Sequence, residues 1–191
     1  MKKGFATVVC LIALMAVLTG CEDKNKAVFK NLAGMEWSYY SGAGAWSSDL
    51  EIKADGTFTC NYHDSDMGDC GDDYPDGTMY YGSFSGRMSV AEQVDANTWK
   101  IRVNELKMEQ AKEKIEDGVR YIPTDCSGLS EGDAMMLYAS GTPAGILSED
   151  MQFWAHVMDQ EQTEKLENWF LCSEANDSGF VGYTPEPAVN P

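Results

Sequence analysis

Two short runs of alternating polarity, joined by one turn, constrain this chain more than any other feature. In Trp46-Ser47-Ser48-Asp49-Leu50-Glu51-Ile52 the apolar residues are 46, 50 and 52; in the next run they are Phe58, Cys60 and Tyr62. A repeat of two is the mark of a half-buried strand. The link contains Ala54-Asp55-Gly56. A two-residue Asp-Gly turn would pair Ile52 with Thr59 and send the two apolar sets to opposite faces. A three-residue loop with Gly56 left-handed pairs Ile52 with Phe58 and Leu50 with Cys60. Only the second register buries both sets together, so it is the one expected.

The alternation continues. Tyr80, Gly82, Phe84, Gly86, Met88 and Val90 mark a third strand, with glycines that suit a bend. Trp99, Ile101 and Val103 mark a fourth, after a turn at Asp95-Ala96-Asn97. Residues 104–117 are ambiguous: Leu106 and Met108 could extend the strand, while Glu109–Glu116 is helix-prone. Further on, Met135–Ala139 reads as a strand. Ser148 is placed to cap a short helix with Glu149 and Asp150 in its first turn, where acids suit the dipole. Leu147, Met151, Trp154 and Met158 then fall at helical spacing. Trp169–Ser173 and Gly179–Tyr183 read as a closing hairpin around Asn176-Asp177-Ser178-Gly179.

The chain starts differently. Lys2 and Lys3 precede an apolar run from Phe5 to Leu18, too short to span a bilayer comfortably and typical of an export signal. The run closes on Leu18-Thr19-Gly20-Cys21, which resembles the lipobox of bacterial lipoproteins at all four positions. The resemblance implies a signal peptide over 1–20, removed at Cys21, and lipidation of that thiol. A single acyl chain anchors weakly, so more than one is implied. Glu22, where an Asp is associated with inner-membrane retention, points to the outer membrane if the host is Gram-negative. The protein would then sit in the cell envelope, facing the periplasm or the exterior. Residues 21–31 read as the lipidated Cys and a tether, 32–183 as one domain, and 184–191, with three prolines, as a flexible tail.

The formal charge is −17, with 14 basic against 31 acidic residues, and it deepens once Lys2 and Lys3 leave with the signal. Such a chain lacks the clustered Lys and Arg that phosphates require, so nucleic acid is excluded as a partner. Nor would it adhere to anionic lipid by charge; the membrane is reached through the N-terminal lipid only.

Seven or eight antiparallel strands with one short helix in the C-terminal half predict a mostly β fold, an antiparallel up-and-down β-barrel; a β-sandwich is the alternative. Leu32-Ala33-Gly34-Met35-Glu36-Trp37, at the start of the first strand, resembles the Gly-x-Trp signature of the lipocalin-like (calycin) barrels, here one residue longer. In that family the Trp closes the lower end of the barrel. The expected interior, and candidate ligand lining, is Trp46, Phe58, Tyr62, Tyr80, Phe84 and Trp99. Inward Ser48, Gly82 and Gly86 would leave room for a modest pocket.

Several motifs invite chemistry. Six aspartates crowd one loop, namely Asp64, Asp66, Asp69, Asp72, Asp73 and Asp76, and hard oxygen ligands at close spacing are what calcium takes. The EF-hand template fails, since its sixth and twelfth positions would be Asp69 and Pro75. A solvated loop turning at Tyr74-Pro75-Asp76-Gly77 needs no metal. The body holds four cysteines, and an even number in an exported domain reads as two disulfides. Cys60–Cys70 would close the acidic loop at its base, leaving Cys126–Cys172. A zinc site from Cys60, His63 and Cys70 is the sharper alternative but lacks a fourth ligand. Gly128-Leu129-Ser130-Glu131-Gly132 matches the nucleophile elbow, with Asp150 and His156 downstream, yet the strand–turn–helix context is missing.

The expectation is a non-enzymatic, envelope-anchored lipoprotein binding a small apolar or amphipathic ligand or an envelope protein. A structural or calcium-dependent interaction protein with a filled barrel is the alternative, and a small hydrolase the third. No cofactor is required beyond calcium in the alternative.

Overall fold

The computed structural model describes residues 27–157 and 165–185. The expected signal peptide over 1–20, Cys21, Met158 and most of the proline-rich tail lie outside them.

The chain forms ten strands: β1 Glu36–Tyr40, β2 Trp46–Ile52, β3 Thr57–Asp66, β4 Thr78–Gln93, β5 Thr98–Met108, β6 Lys114–Glu116, β7 Val119–Pro123, β8 Ala134–Tyr138, β9 Trp169–Ser173 and β10 Ser178–Tyr183. Eight of them, β1-β2-β3-β4-β5-β8-β9-β10, pair antiparallel in that order, and β10 returns to β1 to close an up-and-down barrel. The first hairpin has the expected register, Leu50 opposite Cys60 and Ile52 opposite Phe58. Gly56 is left-handed at φ 80°, as a three-residue loop needs.

The ambiguous stretch resolves into strand. β5 runs on to Met108, and residues 114–123 form the hairpin β6–β7, whose second strand lies parallel to β4 over Thr78–Tyr81. Helix propensity in 109–116 is overridden because β4, sixteen residues long, pairs with β5 only from Phe84 onward. Its earlier backbone groups take β7 instead.

Two short helices complete the fold. The first, α1, covers residues 27–32, inside the segment expected as tether. Phe29 and Leu32 are each 1% exposed and Val28 is buried with them, so residues 27–31 pack on the domain. Three apolar residues in a short polar-looking stretch suffice to dock it across the barrel's base, beside the β2–β3 turn. The second, α2 (Glu149–Trp154), starts where Ser148 accepts a hydrogen bond from the Met151 N–H, with Glu149 and Asp150 in the first turn. Leu147, Met151 and Leu166 cover Phe170, Cys172 and Val181 on the outer wall of β9 and β10. Among the described residues no helix is long and apolar enough to cross a membrane.

Candidate functional site

The barrel interior is the first place to look for a ligand. The inward-facing residues are Trp37 and Tyr39 of β1, Leu50 and Ile52 of β2, Phe58 and Cys60 of β3, Phe84 and Met88 of β4, Ile101 and Val103 of β5, Met135 and Leu137 of β8, Leu171 of β9 and Phe180 of β10. All belong to one buried cluster. Of the expected lining, Phe58 and Phe84 are buried, Trp46, Tyr62 and Trp99 are partly buried against that cluster, and Tyr80 is half-buried at the same strand parity.

The room expected at the inward glycines is taken up by side chains. Gly82 and Gly86 do remove volume, but aromatic rings take it: a Cβ on Gly82 would lie 2.5 Å from the Phe84 ring, and one on Gly86 2.4 Å from the Phe58 ring. Trp37, the residue on which the calycin resemblance turned, is 1% exposed near the base, and its ring lies where a Cβ on Gly182 would sit, 2.8 Å away.

Each end also carries a cover. α1 covers the base. At the mouth, the β7–β8 connection over 124–133 turns inward. Ser48, fully buried, donates its hydroxyl to the Ser127 carbonyl at 2.7 Å, and Ser178 donates to the Gly128 carbonyl at 3.2 Å. Leu129 is 2% exposed inside the rim. Around it stand Tyr39, Trp46 and Trp154, with Tyr39 edge-on to both tryptophans at 4.8 and 4.9 Å. The Trp154 indole N–H reaches Asp177 Oδ1 at 2.9 Å and the Tyr39 hydroxyl donates to the Asp177 carbonyl. Burial, then the nearby Asp177 charge, holds the Tyr39 phenol above its ordinary pKa, so it stays neutral and donating.

The cysteine pairing differs from expectation. Neither Cys60–Cys70 nor Cys126–Cys172 is bonded; all four thiols are free. Cys60 points inward from the middle of β3, and its sulfur lies 3.3 Å from that of Cys126 in the mouth segment. Cys70 is exposed in the acidic loop, and Cys172 lies on the outer wall beneath α2. The barrel wall therefore separates Cys126 from Cys172. The same alternation defeats the zinc alternative, since His63 points outward, 3.2 Å from the Ser47 hydroxyl, while Cys60 points inward.

The six loop aspartates do not converge. Among the described residues no three His, Cys, Asp or Glu side chains gather as a metal site. Asp66 turns back on its own loop, accepting from the N–H groups of Gly68 and Asp69 at 2.8 and 3.1 Å. The loop is held by a Gly71–Tyr74 bridge and by Thr78 donating to the Asp69 carbonyl. Ser130 sits in a turn whose N–H donates to Asp133, with no helix after it, and His156 contacts Tyr183 and Tyr40 instead.

The roomiest concavity described is on the outside. Outward residues of β1, β2 and β3 and the end of β10 line a cleft of about 630 Å³. Its carboxylates are Glu36, Asp49 and Glu51, its amide and hydroxyls come from Asn61, Ser38 and Thr59, and Tyr40 and Tyr183 stand at its edge. Asp49 is fixed by the Ser38 and Ser47 hydroxyls. Tyr183 lies 3.4 Å from His156 Nδ1; burial and the neighbouring Tyr40 push its pKa up to about 12. Sequence reading missed this cleft because it depends on β10 returning to β1, which puts Tyr183 opposite Glu36. Outward polar residues on any one strand look like ordinary solvated faces.

Compared with family models, curated proteins and solved structures, the chain matches none of them.

Proposed function

We propose that this protein is a lipid-anchored envelope lipoprotein whose barrel is a filled scaffold, and that it recognises a cationic segment of an envelope protein at the outer cleft of β1, β2, β3 and β10. The observation that carries the reading is the interior: a single aromatic-rich cluster occupies it, with α1 across one end and the 126–133 segment in the other. Barrels of this size either hold one small ligand or are filled by their own side chains. A filled one leaves recognition to the surface.

The cleft has the chemistry for such a partner. Three carboxylates face one concavity beside two tyrosine rings, and a Lys or Arg side chain can pair with the first and lie over the second. The excess of 31 acids over 14 bases would draw a cation in from a distance, an effect that salt screens. Anchoring at Cys21, which the lipobox implies, would keep the domain near the membrane, where envelope proteins expose their segments.

The test is titration of the protein with hexa-arginine, followed by calorimetry at low and high salt. Binding should be lost in the triple variant E36K/D49K/E51K. It should survive D72K/D73K/D76K, which changes the total charge equally but in the acidic loop. Equal loss in both variants would reduce the effect to net charge and overturn the reading. An apolar fluorescent probe that binds stoichiometrically and is displaced by neutral amphiphiles would restore a ligand-binding interior.

A further inference from the structure

The mouth segment 124–133 has no helix or strand of its own, yet Leu129 is buried inside the rim and Gly128 packs against Tyr39 and Phe180. Two serine hydroxyls hold it from the wall. A third tie is poised beside them, the sulfurs of Cys60 and Cys126 at 3.3 Å. We propose that Cys60 and Cys126 close into a disulfide that staples this segment into the barrel mouth, leaving Cys70 and Cys172 as free thiols.

The geometry favours this pair over any other. A disulfide needs sulfurs about 2.05 Å apart, so closure moves the two by roughly 1.3 Å. Cys60 is fully buried between Leu50 and Phe84 on the neighbouring strands, and its rotation is restricted. Cys126 belongs to a segment without regular structure and can supply the movement. Cys70 is exposed and Cys172 faces the other side of the wall, so neither competes.

The two thiols are also unequal. Cys126 is only partly buried, whereas Cys60 is 0% exposed. The hydrogen bond between them lowers the Cys126 pKa, and the same bond together with burial raises that of Cys60. Cys126 is therefore the first nucleophile. Its thiolate attacks one sulfur of an oxidising disulfide, either a thiol–disulfide oxidoreductase or oxidised glutathione. That S–S bond breaks, and the departing sulfur leaves as a thiolate that takes up the Cys126 proton. The Cys60 sulfur, losing its proton, then attacks Cys126 in the mixed disulfide and the second half leaves as a thiol. Two protein thiols are oxidised and one disulfide is reduced to two thiols. The proposal rests on the envelope reading only for where that oxidant is met.

Peptide mapping of the full chain, with free thiols alkylated before digestion, tests it in two arms. One arm uses protein isolated from the cell envelope. The other uses reduced protein incubated with oxidised glutathione. The expected result in both is a linked Cys60–Cys126 peptide pair, about 2 Da lighter than the two thiol peptides together, with Cys70 and Cys172 alkylated. A Cys60–Cys70 link, or Cys60 and Cys126 both alkylated after glutathione treatment, would overturn the proposal. A link formed with glutathione but absent from the isolated protein supports the pair and overturns the oxidising location instead.

Discussion

Replacing Gly56 by Ala tests the hairpin and the base of the barrel together. Gly56 is left-handed, and that conformation alone costs an L-residue about 1 kcal/mol. Gly44, in the β1–β2 turn, is left-handed too, at φ 74°, with nothing within 4 Å of an added Cβ. At Gly56 the same atom would lie 2.6 Å from the Met88 carbonyl oxygen and 2.9 Å from the Phe29 ring. The turn has little room to retreat, because the Gly56 carbonyl accepts from the Met88 N–H at 2.7 Å. Overpacking of this kind costs roughly 1–3 kcal/mol. The expected loss is therefore about 1 kcal/mol for G44A and about 3 kcal/mol for G56A. In a domain of this size that difference of about 2 kcal/mol separates the melting temperatures by roughly 4–8 °C. Urea denaturation followed by tryptophan fluorescence measures it. Equal losses in the two variants would mean that α1 and β4 do not press on this turn, and the account of the closed base would fail.

Three further outcomes are expected. L129A should destabilise by about 2–4 kcal/mol and allow an apolar probe to bind at the mouth; a loss below about 1 kcal/mol would show that the segment is not seated there. Stability should fall as pH rises from about 10 toward 12, because Tyr138 and Tyr183, both pushed up to about 12 chiefly by burial, keep their protons longer folded than unfolded. Both are partly solvated, so the slope is shallow; phenolate absorbance alongside chemical denaturation checks the sign, and a rise over this range would contradict it. In native protein a maleimide should label exposed Cys70 quickly and Cys172 slowly, since burial raises the Cys172 thiol to about 12. Comparable rates would put Cys172 outside the outer-wall cluster.

What the sequence reveals here follows the range of the interactions. The Leu50–Cys60 and Ile52–Phe58 register was legible because alternation and one glycine turn fix it within eleven residues. The Ser148 cap and the closing hairpin are equally local. The β6–β7 hairpin was not legible, since its pairing is set by the part of β4 that β5 leaves unpaired. The sulfur neighbours were misjudged for the same reason: Cys60 and Cys70 are near in sequence, but strand parity and the inward turn of 124–133 bring Cys126 to Cys60. The helix over 27–32 was hidden by polar neighbours, its value lying in where Phe29 and Leu32 land. The outer cleft needed the β1–β10 closure and left no mark on any single strand.

The way the sheet ends has a consequence for how this protein meets others. Among the described strands, β6 alone has a single partner; it is three residues long and carries Lys114 and Glu116 on either side of Ile115. A chain looking for backbone hydrogen bonds at this edge finds only a three-residue ladder, flanked by opposite charges. On a membrane, where the proposed anchoring would crowd copies together, that edge offers a neighbour little to zip onto. A partner that meets this edge is held by side chains more than by backbone, and such a contact can be undone by changing one of them.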